Sequence, residues 1–310
     1  EVEWARLQEK GIDLLCLNDP QYPPNLAAIA DPPAVLFVKG SLEPRDLVSV
    51  AVVGSRAASP MGLVFTERLC IDLAQAGVSI VSGLAVGIDS AAHRGALKAK
   101  GRTLAVLGCG LDVDYPSRNC KLRVEISESG GILTEFPLET PPAPGHFPMR
   151  NRIISGLALG VVVVEAAHRS GSLITARLAL EQGREVFAVP GMAQHYRSVG
   201  SHRLLKQGAK LVESAEDILE EIRPLIRSSR VPGTDAGTDT GTGAGADTGG
   251  RTGTPEENAL LQSLCQQPLH IDEICRSLQW PVSRVMSMLL ALELNGAVQQ
   301  LPGKYFVCKG

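Results

Sequence analysis

Through the first two thirds of the chain, short and nearly unbroken apolar runs alternate with segments whose apolar positions recur three and four apart. LVSVAVVG (47–54), VSIVSG (78–83), RTLAVLG (102–108), GILTEFP (131–137), GVVVVEA (160–166) and REVFAVPG (184–191) are the runs. Each is too short for a buried helix and most are rich in β-branched residues, which predicts strands buried on both faces. Between them, MGLVFTERLCIDLAQAG (61–77) and DSAAHRGALKAKG (89–101) have helical spacing. The first closes on Gly77, and the second opens on Asp89, a candidate N-cap. Strand and helix alternate, so the pattern predicts an α/β body: a Rossmann-like, doubly wound, mostly parallel sheet. Its ligand crevice is expected beyond the carboxyl ends of the strands.

The two ends depart from this rhythm. Residues 1–45 are proline-rich and read as an extended or turn-rich lead-in that packs on the body, 46–228. Residues 229–254 are Gly, Thr, Ala and Asp with almost nothing to bury, which predicts a flexible linker. Residues 255–310 show short helical patterns followed by AVQQL and KYFVC, joined by Pro302-Gly303. Helices followed by a hairpin predict a small C-terminal winged-helix domain.

Composition changes this picture mainly through charge. The 310 residues carry a net charge of -3, so no global basic field advertises a nucleic acid. Residues 146–210, however, hold nine Arg or Lys against three Glu, a local surplus of +6 on an otherwise acidic chain. Residues 255–310 hold four basic and five acidic residues, whereas a winged helix gripping duplex DNA is normally basic. That tail is therefore expected to contact protein, or DNA only weakly. The seven cysteines show no CxxC spacing and no closed disulfide count, as expected of small apolar residues in a reducing cytoplasm. No apolar run approaches a membrane span, the N-terminus lacks signal-peptide character, and the start at Glu1 rather than Met reads as a trimmed chain.

Candidate chemistry gathers at the strand ends. Gly54, Ser55 and Arg56 follow the first core strand and precede a helix, where backbone N–H groups and the helix dipole favour an anion and Arg56 adds a phosphate-binding fork. Gly54 alone would equally suit a ligand-free tight turn. The loop is not GxGxxG and the second strand ends without an acidic residue, which speaks against a dinucleotide. Ser82 and Gly83 end that second strand; Gly83 and Gly87 keep its loop small, and His93 reads as a core residue. Phe147 and the cations Arg150 and Arg152, flanking Asn151, stand at a helix start. Ser170, Gly171 and Ser172 open another helix as a hydroxyl-rich anion nest, and Lys206 lies close in sequence to Arg203 and Lys210. There is no P-loop, no ligand cluster at zinc spacing and no evident acid–base pair. The reading is a site that binds rather than reacts, with no metal or cofactor and no catalytic residue.

VVGSR, VSGLAVGIDSAAHRGAL, GGILTEFP, FPMRNRIISGLALGVVVVEAAHRSGSLITARLALEQGREVFAVPG and GSHRLLKQGA, in this order, resemble the DNA-processing protein A family (DprA, also called Smf). The resemblance covers roughly residues 20–215, and the tail fits that family's winged-helix appendage. It implies a Rossmann-like body that binds single-stranded DNA, protects incoming DNA in natural transformation, loads RecA onto it and acts as a homodimer. By the same resemblance, Gly54, Ser55 and Arg56 fall on a phosphate-binding GSR turn, and Arg150, Asn151 and Arg152 on an RN signature beside the DNA pocket. Phe147 then becomes a candidate platform for base stacking. Three features depart from the family: most of its N-terminal helical domain of the sterile-alpha-motif type is missing, His202 stands where Asn is usual, and the tail lacks the basic balance of a duplex-gripping winged helix. An alternative is a nucleotide-processing enzyme similar to the lysine-decarboxylase-like phosphoribohydrolases. Those carry a PGGxGT-type loop followed by Glu, where SGGILTE (129–135) has no such Gly-Thr turn. A duplex-specific regulator acting through the tail is a third reading, and the tail's basic deficit weighs against it.

Overall fold

The computed structural model describes residues 2–229 and, beyond them, 269–270, 274, 285, 289, 292, 298–301 and 305–308. The chain divides into two compact units, Glu1–Gly233 and Thr234–Gly310. In the first, the strands are β1 (Ile12–Cys16), β2 (Val35–Gly40), β3 (Ser49–Gly54), β4 (Ser79–Ser82), β5 (Thr103–Val106), β6 (Gly131–Thr134), β7 (Gly160–Val164), β8 (Glu185–Ala188) and β9 (Lys210–Leu211). The helices are α1 (Val2–Glu9), α2 (Pro24–Ala27), α3 (Pro60–Gln75), α4 (Ile88–Lys98), α5 (Cys120–Ser129), α6 (His146–Leu157), α7 (Gly171–Glu181), α8 (Val199–Lys206) and α9 (Ala215–Ser229).

One nine-stranded sheet runs β1-β2-β6-β5-β4-β3-β7-β8-β9. The strands from β3 to β9 pair in parallel, as the apolar runs predict. Alternate residues of each strand feed opposite faces. Ala51, Val53, Val161 and Val163 pack with Leu26, Ile153, Ile154 and Ala176 on one side. Val50, Val52, Val162 and Val164 pack with Leu69, Leu73, Ala92 and Ile218 on the other. Chain order moves outward from β3 through β4, β5 and β6, then returns to place β7 on the other flank of β3. The β3–β7 boundary is the topological switch point, where a crevice opens between helices that diverge to opposite faces.

The lead-in does more than pack on the body. β1 and β2 pair antiparallel, and β2 pairs antiparallel with β6, so the segment extends the sheet itself. A boundary after residue 45 would also cut through a buried ionic network. Arg102 on the way into β5 bonds Asp46 at 2.7 and 2.8 Å and Glu43 at 2.6 Å, and Ser79 donates to Asp46 at 2.7 Å. The expected N-cap also shifts: α4 begins at Ile88 after Gly87, and Asp89 lies inside its first turn.

In the second unit, β11 (Val298–Leu301) and β12 (Tyr305–Cys308) form the expected hairpin, and β10 (Leu269–His270) adds to its other side as β10-β12-β11. Val285, Leu289 and Leu292 are buried, helical, and spaced for one helix face. The fold is thus α/β with a doubly wound, mostly parallel sheet and a small C-terminal winged-helix module. Residues 230–254, the remainder of the expected linker, lie outside the described residues.

Candidate functional site

A cleft of about 360 Å³ opens at the switch point, lined from the turn after β3, the loop after β4, the start of α6 and the start of α7. Gly54 is there because nothing larger fits: a Cβ would collide with the Val164 carbonyl and the Ile88 side chain. Ser55 and Arg56 therefore follow β3 directly into the cleft wall. The Ser55 hydroxyl accepts from Ala57 N at 3.2 Å, and the Ser55 carbonyl accepts from Ile88 N at 3.2 Å. The turn is thereby held from its own side and from α4.

The anion nest lies at α7. Ser170 caps it, accepting from Ser172 N at 3.4 Å, and the two hydroxyls are 2.8 Å apart. Asn151 donates to the Gly171 carbonyl at 3.5 Å, tying α6 to this helix start. Ser170, Gly171 and Ser172 line the same cleft as Ser55 and Arg56, so the positive end of α7 and its two hydroxyls border whatever enters.

The start of α3, expected to offer a second such place, is already filled. Glu165, at the end of β7 with φ 49°, accepts from Ser59 N at 2.8 Å and from the Ser59 hydroxyl, while that hydroxyl accepts from Gly62 N at 3.0 Å. The chain supplies its own carboxylate where the dipole attracts an anion. The turn after β3 thus serves the cleft through Ser55 and Arg56 and not through the helix that follows it.

The remaining predicted residues separate into distinct roles. Arg150 faces the cleft floor but is only 4% exposed, and its guanidinium donates to the carbonyls of Gly83 (2.9 Å) and Val106. It braces the ends of β4 and β5 instead of presenting an open fork. Burial pulls it down to about 10, with Arg56 adding repulsion and Asp89 opposing the shift. Asp89 is buried too, and burial pushes its carboxyl up; it accepts from Gly83 N at 3.1 Å and Ala85 N at 3.4 Å. Gly83 is a structural requirement, since a Cβ there would strike the Arg150 guanidinium. Ser82 donates to the Val52 carbonyl at 2.6 Å and is sealed inside the sheet.

Arg152, one residue beyond Asn151, points elsewhere. It holds Glu135 through two bonds of 2.6 and 2.7 Å and Asp31 at 3.0 Å, and it is absent from the cleft wall. Lys206, at the end of α8, is exposed and likewise outside the lining. Phe147 does line the cleft, half-buried, with Arg56 5.2 Å from its ring centroid and Tyr115 at 5.6 Å. Arg169, which the sequence pattern does not single out, is exposed and lines the cleft next to Ser170. Its position just before an anion nest was the available signal. His93 is fully buried, as expected, with Nδ1 2.7 Å from the Thr103 hydroxyl, and burial holds it down to about 3. A larger cavity of about 610 Å³ lies at the amino ends of the parallel strands, walled chiefly by prolines and aliphatic residues, with Asp13, Glu43 and Asp46 as its acidic members. Among the described residues no cluster of His, Cys, Asp or Glu could hold a metal ion, and no helix is long and apolar enough to cross a membrane.

Comparison with known proteins matches the sequence profile of DNA recombination-mediator protein A to residues 13–223 and that of the DprA winged helix domain to residues 244–304. Protein Smf of Escherichia coli K12 is 43% identical over 300 residues, covering 96% of this chain and 78% of that protein. The DNA processing protein DprA of Bacillus subtilis is 46% identical over 222 residues, 70% of this chain and 74% of that one. Among solved structures, DprA of Streptococcus pneumoniae superposes with a TM-score of 0.66 at 46% identity, covering 70% of this chain and 77% of its own. The DNA processing protein A of Helicobacter pylori, whose structure describes a single-stranded DNA binding mode, gives 0.61 at 31% identity, over 70% of this chain and 96% of its own.

Proposed function

The chain belongs to the DNA recombination-mediator protein A family, a family of DNA-processing proteins, and from that premise we propose that its switch-point cleft binds single-stranded DNA. The observation that carries this reading is the α7 nest, Ser170 to Ser172, which shares the cleft wall with Arg56 and Arg169. A phosphate sits at the positive end of α7 beside the Ser170 and Ser172 hydroxyls, Arg56 and Arg169 neutralise it and its neighbour, and a base leans on the Phe147–Arg56 layer. Arg150 lends its charge from beneath and keeps the loops after β4 and β5 in place. The single-stranded binding mode described for the Helicobacter pylori relative supports the choice of ligand.

In this reading the protein is a binding protein and not an enzyme: a cytoplasmic homodimer that protects incoming DNA in natural transformation and loads RecA onto it. Shortening of the RecA assembly lag on protein-coated single strands tests the loading step, and sedimentation at micromolar concentration tests the dimer. The phosphoribohydrolase alternative finds little support in the segment that prompted it. Glu135, the carboxylate following SGGILT, is locked in its two-bond pairing with Arg152.

The deciding experiment titrates the protein with an oligothymidine and with the corresponding duplex across a salt series. Tighter binding to the single strand, weakening as salt rises, is expected. Equal or tighter binding to the duplex, or release of free base from nucleoside monophosphates, overturns the reading.

A further inference from the structure

The loop joining β8 to α8, residues 189–198, leaves the same sheet edge as the cleft, one strand beyond β7. It is firmly anchored. His202 Nε2 lies 3.2 Å from Gly191 N and 3.0 Å from Gly191 O, and Ser198 N donates to the His195 carbonyl at 2.9 Å. Gly200 N donates to the Ala166 carbonyl at 2.7 Å, joining the start of α8 to the loop after β7. Arg197 Nε donates to the Ala57 carbonyl at 2.8 Å, the residue after Arg56. The loop is therefore fastened to both segments that carry the cleft's exposed cations.

What this anchored frame presents is unusual for a surface. Tyr196 is 59% exposed, its ring stacked by His195 (centroids 5.0 Å apart, planes at 28°) and approached by the Arg197 guanidinium at 4.7 Å. Gln194 is held at φ 64°, a conformation that non-glycine residues rarely adopt and that concentrates at binding sites. His195 and Arg197 are half-buried and their groups flank a Tyr196 ring that is itself exposed, so the layer ends at the surface. The same combination is what unstacked bases use, because every base offers a π-face to rings and guanidinium planes.

We propose that His195, Tyr196 and Arg197 form a second stacking platform, which extends the path of a single-stranded nucleic acid out of the cleft and along the carboxyl edge of the sheet. The proposal rests on the cleft reading given above. A strand held at Arg56 and the α7 nest crosses the loop after β7, where Arg169 is exposed, and meets the platform two strand positions from β3, roughly 10 Å away. A base stacks on the layer and Arg197 faces the adjoining phosphate. Phe147 and Tyr115 lie on the other side of the cleft, so aromatic groups stand at both ends of a cationic centre.

The test uses the full chain and fluorescence anisotropy with oligothymidines of two lengths, one just filling the cleft and one reaching beyond it. Tyr196→Ala is expected to weaken the longer oligothymidine roughly tenfold, leave the shorter unchanged, and be rescued by Tyr196→Phe. An oligothymidine with terminal 5-iodouracil is expected to photocrosslink to the 192–197 segment only at the longer length. The platform is overturned if Tyr196→Ala leaves the longer affinity unchanged, or lowers both lengths equally, while Arg56→Ala weakens both. If Arg56→Ala weakens neither, it is the cleft reading that has failed.

Discussion

Arg56 and Arg150 share one cleft and differ in what surrounds them. Arg56 is exposed, so its removal costs no buried partner, and stability should stay within about 0.5 kcal/mol. It should still weaken oligothymidine binding by more than ~1 kcal/mol, the worth of a charge-assisted hydrogen bond. Arg150→Ala should do the reverse first. It strips donors from the Gly83 and Val106 carbonyls and leaves the Asp89 carboxylate buried without its nearby cation, a loss of about 3 kcal/mol in urea unfolding. A folded, fully stable Arg150→Ala that fails to bind would show instead that Arg150 is the phosphate contact. The sequence held both arginines in plain view but not this division. RN-x-I patterns look alike whether the guanidinium faces out or in, and Gly83, which makes room for Arg150, is 67 residues away.

His93 adds a pH dependence of definite sign. Burial holds its imidazole neutral down to about 3, while the unfolded chain protonates near ~6.5. Below that value the unfolded state takes up a proton that the native state refuses. His93's share of stability is therefore complete above about 6.5 and drains away as pH falls toward about 3, amounting to about 2 kcal/mol by pH ~5. Asp89 works in the opposite sense, its raised carboxyl costing stability as pH rises above its ordinary value. The difference between the wild type and His93→Gln isolates the imidazole: urea midpoints should diverge in slope between pH ~7 and ~5, and parallel profiles would rule out a neutral buried His93.

At the scale of elements, two neighbouring helices begin alike and are used differently. α3 opens on Ser59 with Glu165 beneath it; α7 opens on Ser170 with the cleft above it. Glu165→Gln keeps the shape but removes the charge, and should destabilise the protein by about 1 kcal/mol while leaving oligothymidine affinity unchanged. A gain in affinity would mean that α3 also takes a phosphate once its own carboxylate is neutral. The α7 nest was legible because Ser-Gly-Ser sits directly at a helix start. The α3 plug was not, since Glu165 and Ser59 are 106 residues apart and only the β3–β7 pairing brings them together. The same reason separates strands that are legible in the sequence from strands that are not. β3 through β8 are covered on both faces and announce themselves as apolar runs. β1, with Ile12 and Leu15 buried but Asp13 and Cys16 exposed, lies at the sheet edge among prolines, and β9 and β10 are two residues each.

For the whole molecule, the charge surplus of residues 146–210 overstates what a ligand meets. Of its nine cations, Arg150 is buried, Arg152 holds Glu135 and Asp31, Arg177 pairs with Glu181, Arg184 donates to the Asn25 and Gly156 carbonyls, and Lys210 pairs with Glu221. Of the remainder, Arg169 lines the cleft and Arg197 stands at the loop beside it, joining Arg56 from the turn after β3. A binding surface of about three phosphate contacts predicts a slope of about -2 for log affinity against log salt, from roughly 0.7 counterions released per contact on a single strand. A slope of about -6 would mean that all nine cations of the segment act, including Arg203 and Lys206 on the flank of α8. The winged-helix unit, with four basic and five acidic residues across 255–310, should add nothing to that slope. Truncation after Gly233 is therefore expected to leave both the slope and the oligothymidine affinity roughly unchanged, because the first unit has its own cores and every group of the cleft. A shallower slope after truncation would move phosphate contacts onto the second unit and shrink the share borne by Arg56, Arg169 and Arg197.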